Sequence, residues 1–383
     1  MVKNFTTIFP SAQNVHLIKD VGQIGNFLAA IKKYKATLVC YKNSKDYSFL
    51  MSEADNLTID FIEQSGKKLF LENAVIEYIK TRAKSIDIIH FFHLTKESMY
   101  YALLYKTYNS KGKIYIKMDV YNDMLLRGIS YSKKPLFNWV HKRIEKLFFK
   151  KINLISAENL ISVQLLKDKY PTLESKTILV TNGVNDQYLK THFPTIKSNS
   201  EKEKIILSVG RIGAKEKNYE MLLRCFSKCN LKDWKLYLVG PIENNFEKKI
   251  ENAIQENPDL KNRVILTGSI EDRVELYNYY NRSKIFCLTS PFESFGIAFI
   301  EAMYFGNFII GTSGMSSFDF ISKDQKLGVK VDVNQDHNLV NSFNSWGNNE
   351  VALDEINISA PLRVAKHFYW SQIIKILDKE IYS

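Results

Sequence analysis

A short segment in the second half of the chain combines two carboxylates with a glycine. Glu293 and Glu301 lie eight residues apart, and Gly296 stands between them, after an apolar run at 285–288 that predicts a strand. A glycine at the start of a helix leaves free backbone N–H groups that can bind a phosphate or a sugar hydroxyl. Flanking carboxylates can accept hydrogen bonds from a polyol. The alternative is a capped helix with two solvated glutamates.

A second segment places cations where another predicted strand ends. Gly210 and Arg211 follow the apolar run 204–209, and Lys217 comes six residues after Arg211. Arginine offers a planar fork and lysine a point charge, so together they can neutralise a diphosphate. The alternative is a basic surface loop.

The elements around these segments alternate between short apolar runs and helical patterns. Continuous apolar runs are typical of parallel strands that are buried on both faces. The predicted strands are 36–41, 86–92, 113–119, 154–156, 177–180, 204–209, 234–239, 264–267, 285–288 and 308–311. The predicted helices are 72–84, 135–150, 219–228, 246–255 and 299–305. This alternation predicts a doubly wound α/β fold.

Length and composition predict two domains. A chain of 383 residues is long enough for about two domains. The polar stretch 185–202, which contains Pro194, predicts a linker, so we expect one domain over 1–185 and a second over 203–361. Residues 362–383 include an amphipathic helix pattern. Strand ends facing a cleft between the two domains would form the ligand site.

Charge and cysteine content narrow the function classes. Four cysteines exclude a disulfide scaffold, and no His or further Cys lies near Cys225 and Cys229 at zinc-ligand spacing. Residues 1–190 hold 29 basic and 17 acidic residues, whereas 191–383 hold 24 of each. This excess predicts an anionic partner for the first half, such as a membrane surface or a phosphorylated acceptor, or else serves solubility. No nucleic-acid module is recognisable, so no nucleic acid is expected.

Without a signal or spanning segment, we expect a cytoplasmic chain, at most peripheral on the inner face of the plasma membrane.

Taken together, the two segments resemble the retaining glycosyltransferases of family 4. The hallmark of that family is two glutamates separated by seven residues, with Phe-Gly soon after the first. The matching residues are Glu293, Phe295, Gly296 and Glu301. The family also has a Gly-Arg loop with a basic residue six positions later. Its matching residues are Gly210, Arg211 and Lys217.

The resemblance implies an α/β fold of the GT-B type. Two Rossmann-like domains would have parallel sheets facing across a cleft, and the C-terminal helix would cross back to the N-terminal domain. The family places a glycine-rich loop near the donor diphosphate, which implies a turn at 19–25 with Gly22 as a donor contact. It also places an active-site histidine at a strand end. Of His90 and His93, we expect His93 to face the cleft.

The resemblance also implies roles for the site residues. A nucleotide diphosphate sugar, with UDP the expected nucleotide, would be held mainly by the C-terminal domain. The expected catalytic residues are His93, Arg211, Lys217 and Glu293. The expected donor contacts are Gly22, Ile270 near the base, Phe295, Gly296 and Ile297 at the sugar, and Glu301 at the ribose. No metal or other cofactor is expected, because two cations and a helix N-terminus do the work of Mg²⁺.

The acceptor side is expected in the first half. Residues 133–151 hold seven basic residues and one acid, with apolar residues at helical spacing from 136 to 148. A basic amphipathic helix predicts binding to an anionic membrane surface. The alternative is a domain helix whose apolar stripe packs on the sheet. Asp119, at the end of the strand 113–119, is expected either to contact the acceptor or to have a structural role.

The resemblance thus implies a metal-independent, retaining hexosyltransferase. It would move a hexose-type sugar from a UDP-sugar to a glycan or lipid-linked acceptor in bacterial surface polysaccharide or glycoconjugate synthesis. One alternative is a sugar-nucleotide epimerase, which the paired glutamates with Phe-Gly disfavour. The other is a non-catalytic GT-B partner subunit, which the retained donor-site residues disfavour.

Overall fold

Two sheets organise the chain. The computed structural model describes residues 2–119, 125 and 135–382. These form two compact units: unit 1 comprises Met1–Tyr188 and Tyr369–Ser383, and unit 2 comprises Leu189–Phe368. Each unit contains one parallel sheet, so the fold is α/β with two parallel sheets, as predicted.

The strands of each sheet follow one another in the same pattern. The strands are β1 (Asn4–Ile8), β2 (Lys35–Cys40), β3 (Leu57–Phe61), β4 (Ile88–Phe92), β5 (Lys113–Met118), β6 (Leu154–Ala157), β7 (Thr177–Leu179), β8 (Glu203–Val209), β9 (Lys235–Val239), β10 (Val264–Gly268), β11 (Ser283–Cys287), β12 (Phe308–Thr312) and β13 (Gly328–Val331). Their spatial order is β3-β2-β1-β4-β5-β6-β7 in unit 1 and β10-β9-β8-β11-β12-β13 in unit 2. The order therefore reverses between β1 and β4, and again between β8 and β11, which is where open α/β sheets bind ligands.

The helices connect these strands. They are α1 (Asp20–Lys32), α2 (Phe49–Ser52), α3 (Asn73–Arg82), α4 (Lys96–Tyr108), α5 (Pro135–Lys151), α6 (Leu160–Lys169), α7 (Asp186–His192), α8 (Tyr219–Ser227), α9 (Phe246–Glu256), α10 (Arg273–Arg282), α11 (Ile297–Tyr304), α12 (Phe318–Ser322), α13 (Asp336–Gly347), α14 (Glu350–His367) and α15 (Trp370–Tyr382). Because each parallel crossover needs a connection of a dozen or more residues, helices cover both sheet faces.

Both faces of the unit 1 sheet are buried by helices. Ile79 of α3 and Phe148 of α5 pack in the core on one face. Phe27 of α1 and Trp370 of α15 pack in the core on the other face. Each large side chain removed from water contributes about 1.5–3 kcal/mol. The C-terminal helix α15 thus completes the core of unit 1.

The observed elements differ from the predicted ones at several places, and helices α1, α4, α6, α10 and α13 are among those not predicted. Strands β1, β3 and β13 were not predicted, since Thr, Asp, Gly or Lys interrupts their apolar runs. The predicted linker 185–202 contains helix α7. The helix predicted within 362–383 starts later than expected, because α14 ends at His367 and α15 spans Trp370–Tyr382.

The glycine turn predicted at 19–25 is also wrong. Lys19 is the N-cap of α1, and Gly22 lies in the first turn of that helix. A Cβ on Gly22 would lie 2.3 Å from the carbonyl oxygen of Leu17. Glycine is therefore needed here because the chain that precedes the helix packs directly against its first turn.

Candidate functional site

The Gly-Arg loop of unit 2 follows strand β8, and glycines permit its shape. The N–H of Gly210 donates to the carbonyl of Val239 at 2.9 Å, and a Cβ on Gly240 would stand 1.9 Å from the Gly210 oxygen. Any larger residue at 240 would push the two strand ends apart. The loop closes with a 3₁₀ turn at Lys215–Lys217, and Asn218 then takes a left-handed φ of 51° before α8 begins.

Arg211 extends from this loop toward solvent. Its side chain is 55% exposed, and its guanidinium is paired with Glu216 and, at 3.4 Å, with Glu243. Exposed pairs of this kind contribute only about 0–1 kcal/mol. An anionic ligand could therefore replace either carboxylate, since a guanidinium binds phosphate oxygens in the same planar geometry.

Lys217 and Glu293 come from two different loops and form an ion pair. Lys217 Nζ donates to Glu293 Oε1, and Ser290 Oγ donates to the same oxygen at 3.2 Å. Thr289 Oγ1 donates to the carbonyl of Asn218 at 2.8 Å, which ties the loops together. The two charged side chains are 23% and 16% exposed. The pair thus lies at the ends of β8 and β11, where the strand order reverses. It is partly shielded from solvent, but a ligand can reach it.

Helix α11 starts beside this pair. Its N-cap, Gly296, has φ 84°, and a Cβ there would lie 2.8 Å from the ring of Phe299. Phe295 is buried, so only its backbone can serve a ligand, whereas Ile297 is half-buried in the first turn. The first N–H groups of a helix have no partners within the helix and can bind an anion or a hydroxyl oxygen.

Glu301 is already held by three side chains. Its Oε1 accepts hydrogen bonds from Arg273 at 3.0 Å and Tyr277 at 3.1 Å, and its Oε2 accepts one from Tyr280 at 3.1 Å. Two carboxylate oxygens can accept about four hydrogen bonds, so room for one more remains. Arg273 was missed in the sequence because no local spacing links it to Glu301.

Ile270, after β10, is half-buried near the sheet edge.

The two candidate histidines of unit 1 differ in exposure. His90, inside β4, is fully buried; its Nδ1 is hydrogen-bonded to Thr7 Oγ1 at 3.0 Å and its ring stacks on Tyr115. Burial, helped by Lys117, holds the pKa of His90 well below its ordinary value. His93 follows β4 with a left-handed φ of 62° and is half-buried. A ligand at the strand end can therefore reach His93 but not the buried ring of His90. The role of His93 stays a prediction.

Charged side chains lie close together at the ends of the neighbouring strands β5 and β6 in unit 1. Asp119 is exposed directly after β5. Lys117, fully buried, has its Nζ 3.4 Å from Asp20 Oδ2 and donates to the carbonyl of Val180 at 3.3 Å. Glu158, directly after β6, is 1% exposed. We call Asp20, Lys117, Asp119 and Glu158 the acidic cluster.

Burial controls protonation in the acidic cluster. Desolvation raises the pKa of Asp20 to about 6, although Lys117 opposes the shift. Desolvation, with repulsion from Asp119, raises the pKa of Glu158 well above its ordinary range. Desolvation also lowers the pKa of His93, against the attraction of Asp119. Sequence reasoning missed Lys117 and Glu158, although a charged residue in or next to a continuous apolar strand was the available signal.

Helix α5 divides its apolar residues between core and surface. Phe148 and Phe149 are buried, whereas Trp139 and Leu147 are 53% and 48% exposed. The guanidinium of Arg143 lies 4.3 Å from the centre of the Trp139 ring. The apolar stripe is therefore only partly packed in the core, and binding of α5 to a membrane surface stays a prediction. Residues 133 and 134 of the predicted basic segment lie outside the described part of the chain.

Within 2–119, 125 and 135–382, no group of three or more His, Cys, Asp or Glu side chains is placed to hold a metal ion. In the same part of the chain, no helix combines the length and apolar character needed to span a bilayer.

Comparison with known proteins supports a glycosyltransferase domain in unit 2. Residues 191–361 match the family model described as "Glycosyl transferases group 1". An "Uncharacterized glycosyltransferase" from Haemophilus influenzae is 27% identical over 172 residues, which cover 44% of this chain and 46% of that protein. The chain thus spans about half the length of the first curated relatives it matches.

Solved structures with the same fold cover the whole chain. Anabaena Alr3699/HepE in complex with UDP has a TM-score of 0.72 at 14% identity, with 100% of each chain covered. The same protein in complex with UDP-glucose has a TM-score of 0.69 at 13% identity, with 99% of each chain covered. The lipopolysaccharide outer core galactosyltransferase WaaB has a TM-score of 0.66 at 17% identity, with 99% of each chain covered.

These likenesses agree with the geometry of unit 2. The family match contains the Gly-Arg loop, the Lys217–Glu293 pair and the start of α11. At identities this low the solved structures show the fold alone. The chain therefore has the α/β fold of GT-B glycosyltransferases, with a glycosyltransferase group 1 match in unit 2.

Proposed function

We propose that the protein is a retaining, family 4 glycosyltransferase that moves a hexose-type sugar from a UDP-sugar to a glycan or lipid-linked acceptor. The observation that carries this proposal is the Lys217–Glu293 pair at the strand-order reversal of unit 2, inside the glycosyltransferase match. The Anabaena complexes with UDP and UDP-glucose support UDP as the nucleotide.

Unit 2 would bind the donor and stabilise its departing nucleotide. In the reaction, the bond between sugar C1 and the diphosphate oxygen breaks, a bond from C1 to an acceptor oxygen forms on the same face, and the acceptor loses a proton. Arg211 and Lys217 would exchange their carboxylate partners for the diphosphate, whose charge grows as it leaves. Glu293, freed from Lys217, would accept hydrogen bonds from the sugar.

The remaining donor contacts follow from the same strand ends. The N–H groups at Phe295–Ile297 would bind sugar or phosphate oxygens, and the one free acceptor position of Glu301 would take a ribose hydroxyl. Two cations and a helix N-terminus can supply the charge neutralisation that a metal ion supplies elsewhere, so we propose transfer without a metal or other cofactor.

Unit 1 would serve the acceptor through His93 and Asp119. Both lie at the carboxyl ends of neighbouring strands, β4 and β5, and both retain exposed surface. The relative titled as a lipopolysaccharide galactosyltransferase supports a surface glycan or glycolipid acceptor. A lipid-linked acceptor also suits a peripheral position on the inner face of the plasma membrane, with the exposed basic side of α5 against anionic headgroups.

The first test is a thermal-shift screen without added metal. A ligand that binds only the folded protein raises the melting temperature, by an amount that reports its affinity. We expect a shift with UDP and UDP-hexoses, and none with GDP or ADP. We also expect UDP release from one UDP-hexose to continue in EDTA. A shift with another nucleotide would overturn the choice of UDP.

The alternative function is a non-catalytic partner subunit. It predicts no nucleotide binding by the wild-type protein, or binding that the variant Lys217→Ala leaves unchanged. Retention of Arg211, Lys217, Glu293 and Glu301 favours the enzyme.

A further inference from the structure

The acidic cluster contains more carboxyl groups than cations. Among the described residues, Lys117 is its one buried cation, and the ammonium is placed between Asp20 and the carbonyl of Val180. Asp20 also accepts a hydrogen bond from the N–H of Val21 at 3.0 Å. The charge of Lys117 is thus matched by Asp20, which leaves Glu158 without a cation of its own in the described part of the chain.

The surroundings of Glu158 suit a carboxylic acid better than a carboxylate. Its Oε2 accepts one hydrogen bond, from Asn182 Nδ2 at 2.8 Å. Among the described residues, no N–H or O–H donor reaches its Oε1. A buried carboxylate with one neutral donor is strongly unfavourable, because the water it lost made several hydrogen bonds to it.

A second carboxyl group lies beside Glu158, because Met118 of β5 pairs with Ala157 of β6 and the next residue of each strand end is Asp119 and Glu158. Asp119 lies within hydrogen-bonding reach of Glu158 and disfavours the ionised form of Glu158. Two carboxyl groups can approach this closely when they share a proton, since two negative charges in contact would repel. Glu158 is buried and Asp119 is exposed, so the proton belongs on Glu158 and the negative charge on Asp119.

We propose that Glu158 is a positioning residue for Asp119: as a buried carboxylic acid it donates a hydrogen bond to Asp119 and fixes that carboxylate at the accessible end of β5. The proposal rests on the proposed function only for the acceptor role of Asp119. His93 directly follows the neighbouring strand, β4. Its backbone N–H donates to the carbonyl oxygen of Lys117 at 2.8 Å. The arrangement therefore holds one negative charge beside one imidazole.

Infrared spectroscopy tests the shared proton without any ligand. At about pH 8 ordinary carboxyl groups are ionised, so the C=O stretch of a neutral carboxylic acid stands out. We expect this band in the full-length wild-type protein and its loss in Glu158→Gln. Asp119→Asn should shift the band to higher frequency, because an amide oxygen is a weaker acceptor than a carboxylate. Ser156→Ala, on the same strand but bonded to Tyr115, should leave the band unchanged.

Each result has a defined meaning. Absence of the band, its survival in Glu158→Gln, or a frequency that Asp119→Asn does not move would each overturn the proposal. Rescue separates positioning from packing: Glu158→Gln keeps a donor for Asp119 and should not lower the melting temperature, whereas Glu158→Leu should lower it. UDP-induced thermal shifts report on unit 2. Their absence in the wild type would refute the proposed function and leave the infrared result standing.

Discussion

Units 1 and 2 share one strand order but use its reversal point differently. In unit 2 the reversal point carries a lysine and a glutamate that are 23% and 16% exposed, with Arg211 nearby at the surface. In unit 1 the buried charges lie away from the reversal point, at the ends of β5 and β6, where Lys117 and Glu158 are 0% and 1% exposed. The same topology thus supports ions that a ligand can reach in one unit and ions sealed from water in the other.

This difference in exposure decides what each set of charges can do. An exposed or half-exposed pair is weak, so it can exchange partners with an arriving diphosphate. A buried pair cannot separate without leaving an uncompensated charge, so it acts by fixing geometry and protonation. Unit 2 is therefore suited to binding a charged ligand, and unit 1 to holding one carboxylate and one histidine in place.

The largest expected effect comes from the buried cation. Lys117→Met should lower the free energy of unfolding by about 3–5 kcal/mol, because Asp20 loses its partner inside the protein. Lys142→Met, at an exposed position of α5 in the same unit, should change it little. Urea unfolding measures both. A loss for Lys117→Met as small as that of the control would contradict the contrast between the units.

Removal of Lys217, the partly exposed cation of unit 2, should lower activity and change stability little. Lys217→Ala should reduce turnover of the UDP-sugar by about 10²–10³-fold, the usual effect of removing one group that stabilises a developing negative charge. The matched control is Lys215→Ala, an exposed lysine in the same 3₁₀ turn. UDP release and melting temperature are measured for both. Equal activities of the two variants would remove Lys217 from the site.

The sequence predicted unit 2 better than the acidic cluster for a physical reason. Gly210, Lys217 and Gly296 are needed at fixed distances from strand ends, so local spacing reveals them. Lys117 and Glu158 meet only because β5 and β6 are neighbours in the sheet, and no local pattern records that contact. Arg273 and Glu301 are likewise joined across 28 residues by tertiary packing.

The same reasoning explains which elements were found. Strands with three consecutive apolar residues, such as 205–207 in β8 and 308–310 in β12, were predicted because burial on both faces selects such runs. Strand β1 was missed because Thr6 and Thr7 lie in it, and both are buried all the same. Thr7 is tolerated there because His90 hydrogen-bonds to it. Pairing of polar groups inside the sheet is invisible until the topology is known.

The protonation of Glu158 should appear as a pH dependence of stability. The pKa of Glu158 lies above its ordinary value of 4.5 in the folded protein, so the unfolded chain releases this proton at lower pH than the folded one. Stability of the wild type should therefore fall as pH rises above about 4.5 until the folded pKa is passed, by about 1.4 kcal/mol per unit of pKa difference.

Glu158→Gln has no such proton, so its stability relative to the wild type should increase with pH. Urea unfolding at a series of pH values from about 4 to 9 measures the difference. Glu77→Gln, at an exposed position of α3, should differ from the wild type by a nearly constant amount. A constant difference for Glu158→Gln as well would mean that Glu158 is ionised in the folded protein.

The smallest expected effect concerns the surface of unit 1. Trp139, Arg143 and Leu147 follow one another at four-residue spacing on α5, so an aromatic ring, a cation and an aliphatic side chain share one exposed face. Each basic residue near an anionic membrane contributes about 1 kcal/mol of attraction. Arg143→Glu with Lys146→Glu should therefore weaken co-sedimentation with phosphatidylserine vesicles at least tenfold, and less so in high salt.

Unit 2 supplies the matched control for this surface. Lys248→Glu with Lys261→Glu makes the same charge change on exposed lysines of that unit and should leave vesicle binding unchanged. Release of UDP from the UDP-sugar in the absence of vesicles should be unaffected by either pair, because neither lies at the donor site. If both pairs weaken binding equally, net charge alone governs the association, and the exposed face of α5 loses its special role.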